Sequence, residues 1–141
     1  MRGHVTPDWE LDPGRLLVWL LRVVLQGRSE CPALAGPLRE ALGERAIEAV
    51  AAAQLLGLGL ERGGALLPAQ PSFDQALAPH EEAVLAAVIA AERGELRACL
   101  AQIAPWAGAH APTAAAALHS LARVFGGAGL HFGPAPSIAA E

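Results

Sequence analysis

Residues 13–26 read PGRLLVWLLRVVLQ, and this stretch decides the class of fold. Leu16, Leu17, Trp19, Leu20, Leu21, Val23, Val24 and Leu25 lie nearly all the way round a 3.6-residue helix. Arg15, Arg22 and Gln26 mark a narrow polar stripe, with Trp19 on the same face. A helix apolar on almost every side sits at the centre of a bundle or meets a second molecule. Asp12 supplies an N-cap with Pro13 at the first helical position, and Gly27 ends the segment.

The composition outside this stretch supports helices as well. The chain holds 32 Ala and 22 Leu against 8 Val, 4 Ile and 2 Thr, with no Tyr, 3 Phe and 3 Trp. Ala and Leu lose little rotamer freedom in a helix, whereas β-branched and aromatic residues fill a pleated surface. The class is therefore all-α, and 141 residues suffice for one domain with its own core. All ten basic residues are Arg and are outweighed by 14 acidic ones, a net charge of −4. Nucleic-acid modules usually present a basic face, so that class of partner is disfavoured. Cys31 and Cys99 lie far apart without CxxC spacing, the pattern of two small core residues rather than of a disulfide scaffold or a zinc site.

The run from Leu16 to Leu25 is half the roughly twenty residues that a membrane span requires. Asp8, Glu10 and Asp12 precede it where a signal peptide carries positive charge. The expected location is the cytoplasm.

Five further helices follow. Pro32 to Leu42 places Leu34, Leu38 and Leu42 at four-residue spacing, and Gly43 breaks it. Glu44 to Leu58 follows, with Ile47, Val50, Ala51, Gln54 or Leu55, and Leu58 as its buried face, until glycines from Gly57 onward dissolve the pattern. A helix opening at Pro79 buries Val84, Leu85, Val88 and Ile89 and closes at Gly94, with Glu81 and Glu82 complementing its positive end. Glu95 to Ile103 turns Leu96, Cys99, Leu100 and Ile103 inward and stops at Pro105. Thr113 caps an Ala-rich helix presenting Leu118, Leu121, Val124 and Phe125; three glycines end it, and Leu130 and Phe132 fold back. The expected architecture is a single domain over 1–141, a bundle of five to six helices. Residues 1–12 form an extended arm, 61–78 a Pro/Gly-rich linker (an extended stretch or a small hairpin), and 134–141 a flexible tail.

No constellation for chemistry emerges. His4, His80, His110, His119 and His131 form no His-x-x-x-His or Glu-x-x-His pair, and His80 beside Glu81 and Glu82 is the best single metal candidate. Ser29, Ser72, Ser120 and Ser137 lie in no nucleophile elbow. Gly126-Gly127-Ala128-Gly129 follows a helix and lacks the Lys of a phosphate loop. Glu40, Glu44 and Glu48 at four-residue spacing read as a solvated face relieved by Arg45. Residues 33–58 have the outline of a helix-turn-helix, but Glu44 and Glu48 at the start of its second helix would face phosphates. Arg15, Trp19 and Arg22 could stack as a cation–π trio and meet an acidic partner.

From Leu66 through Leu130 the chain resembles small uncharacterised α-helical proteins of GC-rich proteobacteria. The residues that carry the likeness are a Pro-rich linker, then Leu77-Ala78-Pro79-His80-Glu81-Glu82, Ala91-Glu92-Arg93-Gly94-Glu95, Leu121-Ala122-Arg123 and Gly129-Leu130. It covers under half the chain, its motifs are mostly helix caps, and it implies no known activity. Some such proteins carry linker cysteines; residues 68–78 have none, so no metal or redox role carries over.

These features point to a non-enzymatic protein–protein interaction or adaptor protein, a homodimer with a regulatory role, that needs no cofactor or metal. Its partner is itself or another protein. The interface candidates are Arg15, Leu16, Trp19, Leu20, Arg22 and Val23 on the first helix, and Leu118, Leu121 and Phe125 on the last. The alternatives are a helix-turn-helix DNA-binding regulator and a binder of small apolar ligands between the first, fourth and sixth helices.

Overall fold

Asp12 caps the first helix as its sequence requires. In the computed structural model, which describes residues 12–25, 32–64 and 77–133, its Oδ1 accepts a hydrogen bond from the Gly14 N–H at 3.0 Å. Helix α1 (Pro13–Leu25) then buries every residue from Leu16 to Val23. Helix α2 (Pro32–Leu42) is joined by one 3₁₀ turn, Gly43–Arg45, to α3 (Ala46–Arg62). Gly43 has φ +66°, a conformation that lacks a Cβ penalty only in glycine. Helices α4 (Pro79–Glu92), α5 (Leu96–Ala107) and α6 (Ala111–Gly127) complete the chain, with a 3₁₀ turn at Gly108–His110. The described residues are 86% helical and include no strand. No described helix is long and apolar enough to cross a membrane.

Four helices pack together, not the five to six expected. The long buried faces belong to α1, α3, α4 and α6. Helix α5 buries fewer residues, Cys99, Ile103 and Ala107, yet packs closely on both α4 and α6, whereas α2 contributes Leu38 and Leu42 from the margin. Helix α3 has the widest set of neighbours, meeting α1, α2, α5 and α6, and its pairing with α6 is the most extensive in the fold.

The α3 face differs from expectation. Ile47 is 76% exposed, Leu55 and Leu58 are each 42% exposed, and Ala51 and Gln54 also face outward. The buried side is Ala49, Ala52, Ala53, Leu56, Gly57, Gly59 and Leu60. Small residues win because they let helix axes approach, and the other wall here is itself Ala-rich: Ala114, Ala115, Ala117 and Leu118 of α6 are buried. The same approach explains why α3 runs past Gly57 to Arg62. A Cβ at Gly57 would lie 2.9 Å from Leu25 Cδ2, and one at Gly59 would lie 3.5 Å from Ala114 Cβ. These glycines make room for neighbours and do not break the helix.

Other boundaries shift for local reasons. Helix α5 passes through Pro105 to Ala107, and Gly108 at φ +56° stops it. Helix α6 starts at Ala111 with Pro112 in its first turn, ahead of the expected Thr113 cap. Leu96 is 61% exposed, while Val84 and Val88 are buried as expected and Leu85 and Ile89 are half-buried. The glycine stops at Gly94 and Gly129 do form: Glu95 N–H reaches Ala90 O at 2.9 Å, and Leu130 N–H reaches Phe125 O at 2.9 Å, each past a glycine at positive φ. The expected arm, most of the linker and the tail lie outside the described residues.

Gly63 follows α3 where the backbone of α5 comes closest, and an added Cβ would lie 2.4 Å from Trp106 O. Gly63→Ala is expected to lower unfolding free energy by about 2 kcal/mol, a cost of overpacking against backbone. Gly126 lies in the last turn of α6, and an added Cβ there would meet only the His131 ring at an ordinary 3.8 Å, so Gly126→Ala should raise it by about 0.5–1 kcal/mol. Urea titration of both variants checks the contrast.

Candidate functional site

The most polar region of the interior lies where α1 meets the first turn of α4. Arg22 is the lone charge within the apolar run of α1, and it is 8% exposed. A guanidinium stays charged at any ordinary pH, so burying it demands an anion. Glu81 supplies one. Its carboxylate accepts from Arg22 Nε at 2.6 Å and from Nη2 at 2.7 Å, a two-pronged pairing across 59 residues of sequence. Glu81 Oε1 also accepts from the Ala78 N–H at 2.9 Å, so the same carboxylate caps the start of α4. Burial would raise the Glu81 pKa, but the Arg22 hydrogen bonds, the Ala78 N–H and the Arg22 charge outweigh it and hold the carboxyl below the usual range.

His80 is the third member. It is 2% exposed, its ring lies 6.3 Å from that of Trp106, and its Nε2 is buried without a hydrogen-bond partner among the described residues. Burial pushes its pKa down, Glu81 opposes the shift, and Arg22 adds to it. The ring is therefore neutral near pH 7. All three side chains are closed off from water, so the cluster's chemistry is to fix one helix against another. Among the described residues no group of three His, Cys, Asp or Glu side chains is placed to hold a metal ion. Cys99 is a free, buried thiol whose pKa burial pushes up.

A second carboxylate gathers the carboxyl-terminal return. Glu92 accepts from the backbone N–H groups of Phe132 and Gly133 at 3.1 and 3.0 Å, with His131 Nδ1 at 3.2 Å. Phe132 then rests on Phe125 with ring centroids 4.8 Å apart. Leu130 and Phe132 fold back on the bundle, as their sequence suggests.

The interface candidates fall into two groups. Leu16, Trp19, Leu20, Arg22, Val23, Leu118, Leu121 and Phe125 are all buried within the single chain. Their apolar area is satisfied by the bundle itself. Arg15 alone is exposed, 3.5 Å from Asp12. Of the proposed Arg15–Trp19–Arg22 trio, the two arginines take different carboxylates, one at the surface and one inside.

Surface grooves among the described residues include the following two. One of about 230 Å³ lies between Gly14 and Arg15 of α1, Leu85 and Ile89 of α4, and Phe132. It differs in position from the cavity expected between the first, fourth and sixth helices. The other, of about 350 Å³, lies between α3 (Ala51, Leu55) and α6 (Ser120, Arg123). Helices α2 and α3 follow one another through a single 3₁₀ turn, and the exposed residues of α3 are Ile47, Glu48, Ala51, Gln54, Leu55, Leu58, Glu61 and Arg62.

No protein-family model, characterised protein or solved structure matches the chain.

The Arg22–Glu81 pair escaped sequence reasoning, although one signal was available: a lone Arg among nine apolar residues must find an acid somewhere. Both His80 and Glu81 have folded pKa values below their unfolded ones, so the unfolded chain binds more protons as pH falls. Their stabilisation is complete above the unfolded values, about 6.5 for His and 4.3 for Glu, and is lost below them. The midpoint of thermal unfolding should hold steady above about pH 7 and decline as pH drops through 6.5, with a further decline in the acid range. His80→Gln should abolish the first decline and keep the second, as thermal melts across pH 4–8 will read.

Proposed function

We propose that the chain is a non-enzymatic helical interaction protein that associates with a second copy of itself through the outer face of α3. The observation that carries this reading is the spacing of exposed apolar residues. Ile47, Ala51, Leu55 and Leu58 recur at i, i+4, i+8 and i+11, which brings them onto one side of the helix. Single exposed Leu or Ile residues are ordinary on a protein surface, whereas an aligned row is the mark of a contact face. Leu96, 61% exposed on α5, stands apart from the row.

The neighbouring groove supports the reading. It widens the row toward α6 and adds Ser120 and Arg123 as a polar margin, the arrangement of an apolar centre with a polar rim. The α1 and α6 candidates keep a different role, since burying them in the chain is what leaves α3 with its larger side chains outside.

The expected oligomer is a dimer at high concentration that dissociates on dilution, read by light scattering after size exclusion over a hundredfold concentration range. Leu58→Glu and Ile47→Glu sit at exposed positions and should keep helicity unchanged while weakening association at least tenfold, roughly the loss of one partly buried apolar side chain per subunit. A monomer at every concentration overturns the reading.

A further inference from the structure

The ends of the α3 row are charged in a self-complementary way. Glu44 lies three residues before Ile47 and Arg62 four residues after Leu58, and both are exposed. Neither forms an ion pair with another described residue, whereas Arg45 already holds Glu48 at 2.7 Å. On the side that carries the row, Glu44 thus lies beyond the amino-terminal end and Arg62 beyond the carboxyl-terminal end, with Arg45 and Glu61 of opposite sign beside them.

Resting on the self-association proposed above, we infer that the two copies dock with their α3 helices antiparallel, each Glu44 meeting the second copy's Arg62. With the two-fold axis level with residue 53, Ile47 of one copy comes within one residue of the level of Leu58 of the other. Ala51 comes level with Leu55, so the small side chain receives the larger one. Glu44 comes level with Arg62 and Arg45 with Glu61, and the symmetry makes two of each pair. The parallel arrangement sets Glu44 against Glu44 and Arg62 against Arg62, and like charges in register repel. The antiparallel arrangement also sets the helix dipoles head to tail. A contact built on one helix from each subunit is small beside a standard interface, which places the expected dissociation constant on the order of micromolar.

Charge reversal tests the geometry. Sedimentation equilibrium at low salt would compare the wild-type chain with Glu44→Arg, Arg62→Glu and the double variant. Each single reversal should weaken the dimer roughly tenfold, since it turns two attractions into two repulsions. The double reversal should return it to within about threefold of wild type, and added salt should shrink both effects. A wild-type dimer indifferent to the single reversals, or a double reversal no better than the singles, overturns the antiparallel docking and leaves self-association standing. A wild-type chain monomeric throughout removes both.

Discussion

A guanidinium taken out of water is tolerable only where a carboxylate meets it with good geometry, and in this fold that requirement ties α1 to α4. Arg22 and Glu81 engage through both nitrogens and both oxygens, and Glu81 simultaneously takes the free N–H of Ala78. The two helices approach each other over a short stretch only. A long arginine reaching to a glutamate at the start of the other helix bridges that separation. The pair therefore sets the rotation of α1 about its axis, and with it which of its neighbours each leucine between Leu16 and Leu21 meets. His80 and Trp106 close the cluster from the side of α5.

Close packing on the far side follows a different rule. The α3–α6 seam is built from alanines and glycines, with Gly59 against Ala114 and, just beyond it, Gly63 against the carbonyl of Trp106. Small side chains bring backbones near, which maximises dispersion contacts per residue, and Ile47, Leu55 and Leu58 are left on the outer side of α3 while Leu56 and Leu60 stay inside. The apolar face available for a second copy is thus a consequence of how the bundle packs. The charged residues at its ends give that face a direction.

Much of the local structure was legible in the residues themselves. The apolar run of α1, broken only by Arg22, pointed to a helix that is central or meets a second molecule; Asp12-Pro13, Pro79, Gly94 and Gly129 placed helix ends because caps and positive φ depend on neighbouring residues alone. The inward set of α6 was legible too, since Leu118, Leu121, Val124 and Phe125 lie on one stripe. The face of α3 was not. Two apolar stripes compete on that helix, and hydropathy favours Ile47, Leu55 and Leu58 while close approach favours Ala49, Ala53 and Leu56. Which prevails depends on the Ala-rich helix opposite, more than fifty residues away in sequence. The Arg22–Glu81 pair is opaque for the same reason: each partner has a plausible local use, as a wet edge of α1 and as an acidic first turn of α4, and only the tertiary fold joins them.

Arg22 and Glu81 act as one unit, and a double-mutant cycle at neutral pH measures that most directly. Arg22→Met and Glu81→Leu each leave a buried charge alone, so each should cost about 3–5 kcal/mol in chemical unfolding. The two together remove both charges and fill the space with apolar atoms, which should recover most of that loss. Single substitutions that cost little, or a double variant whose loss is the sum of the two, would contradict the pair's place as the lock between α1 and α4.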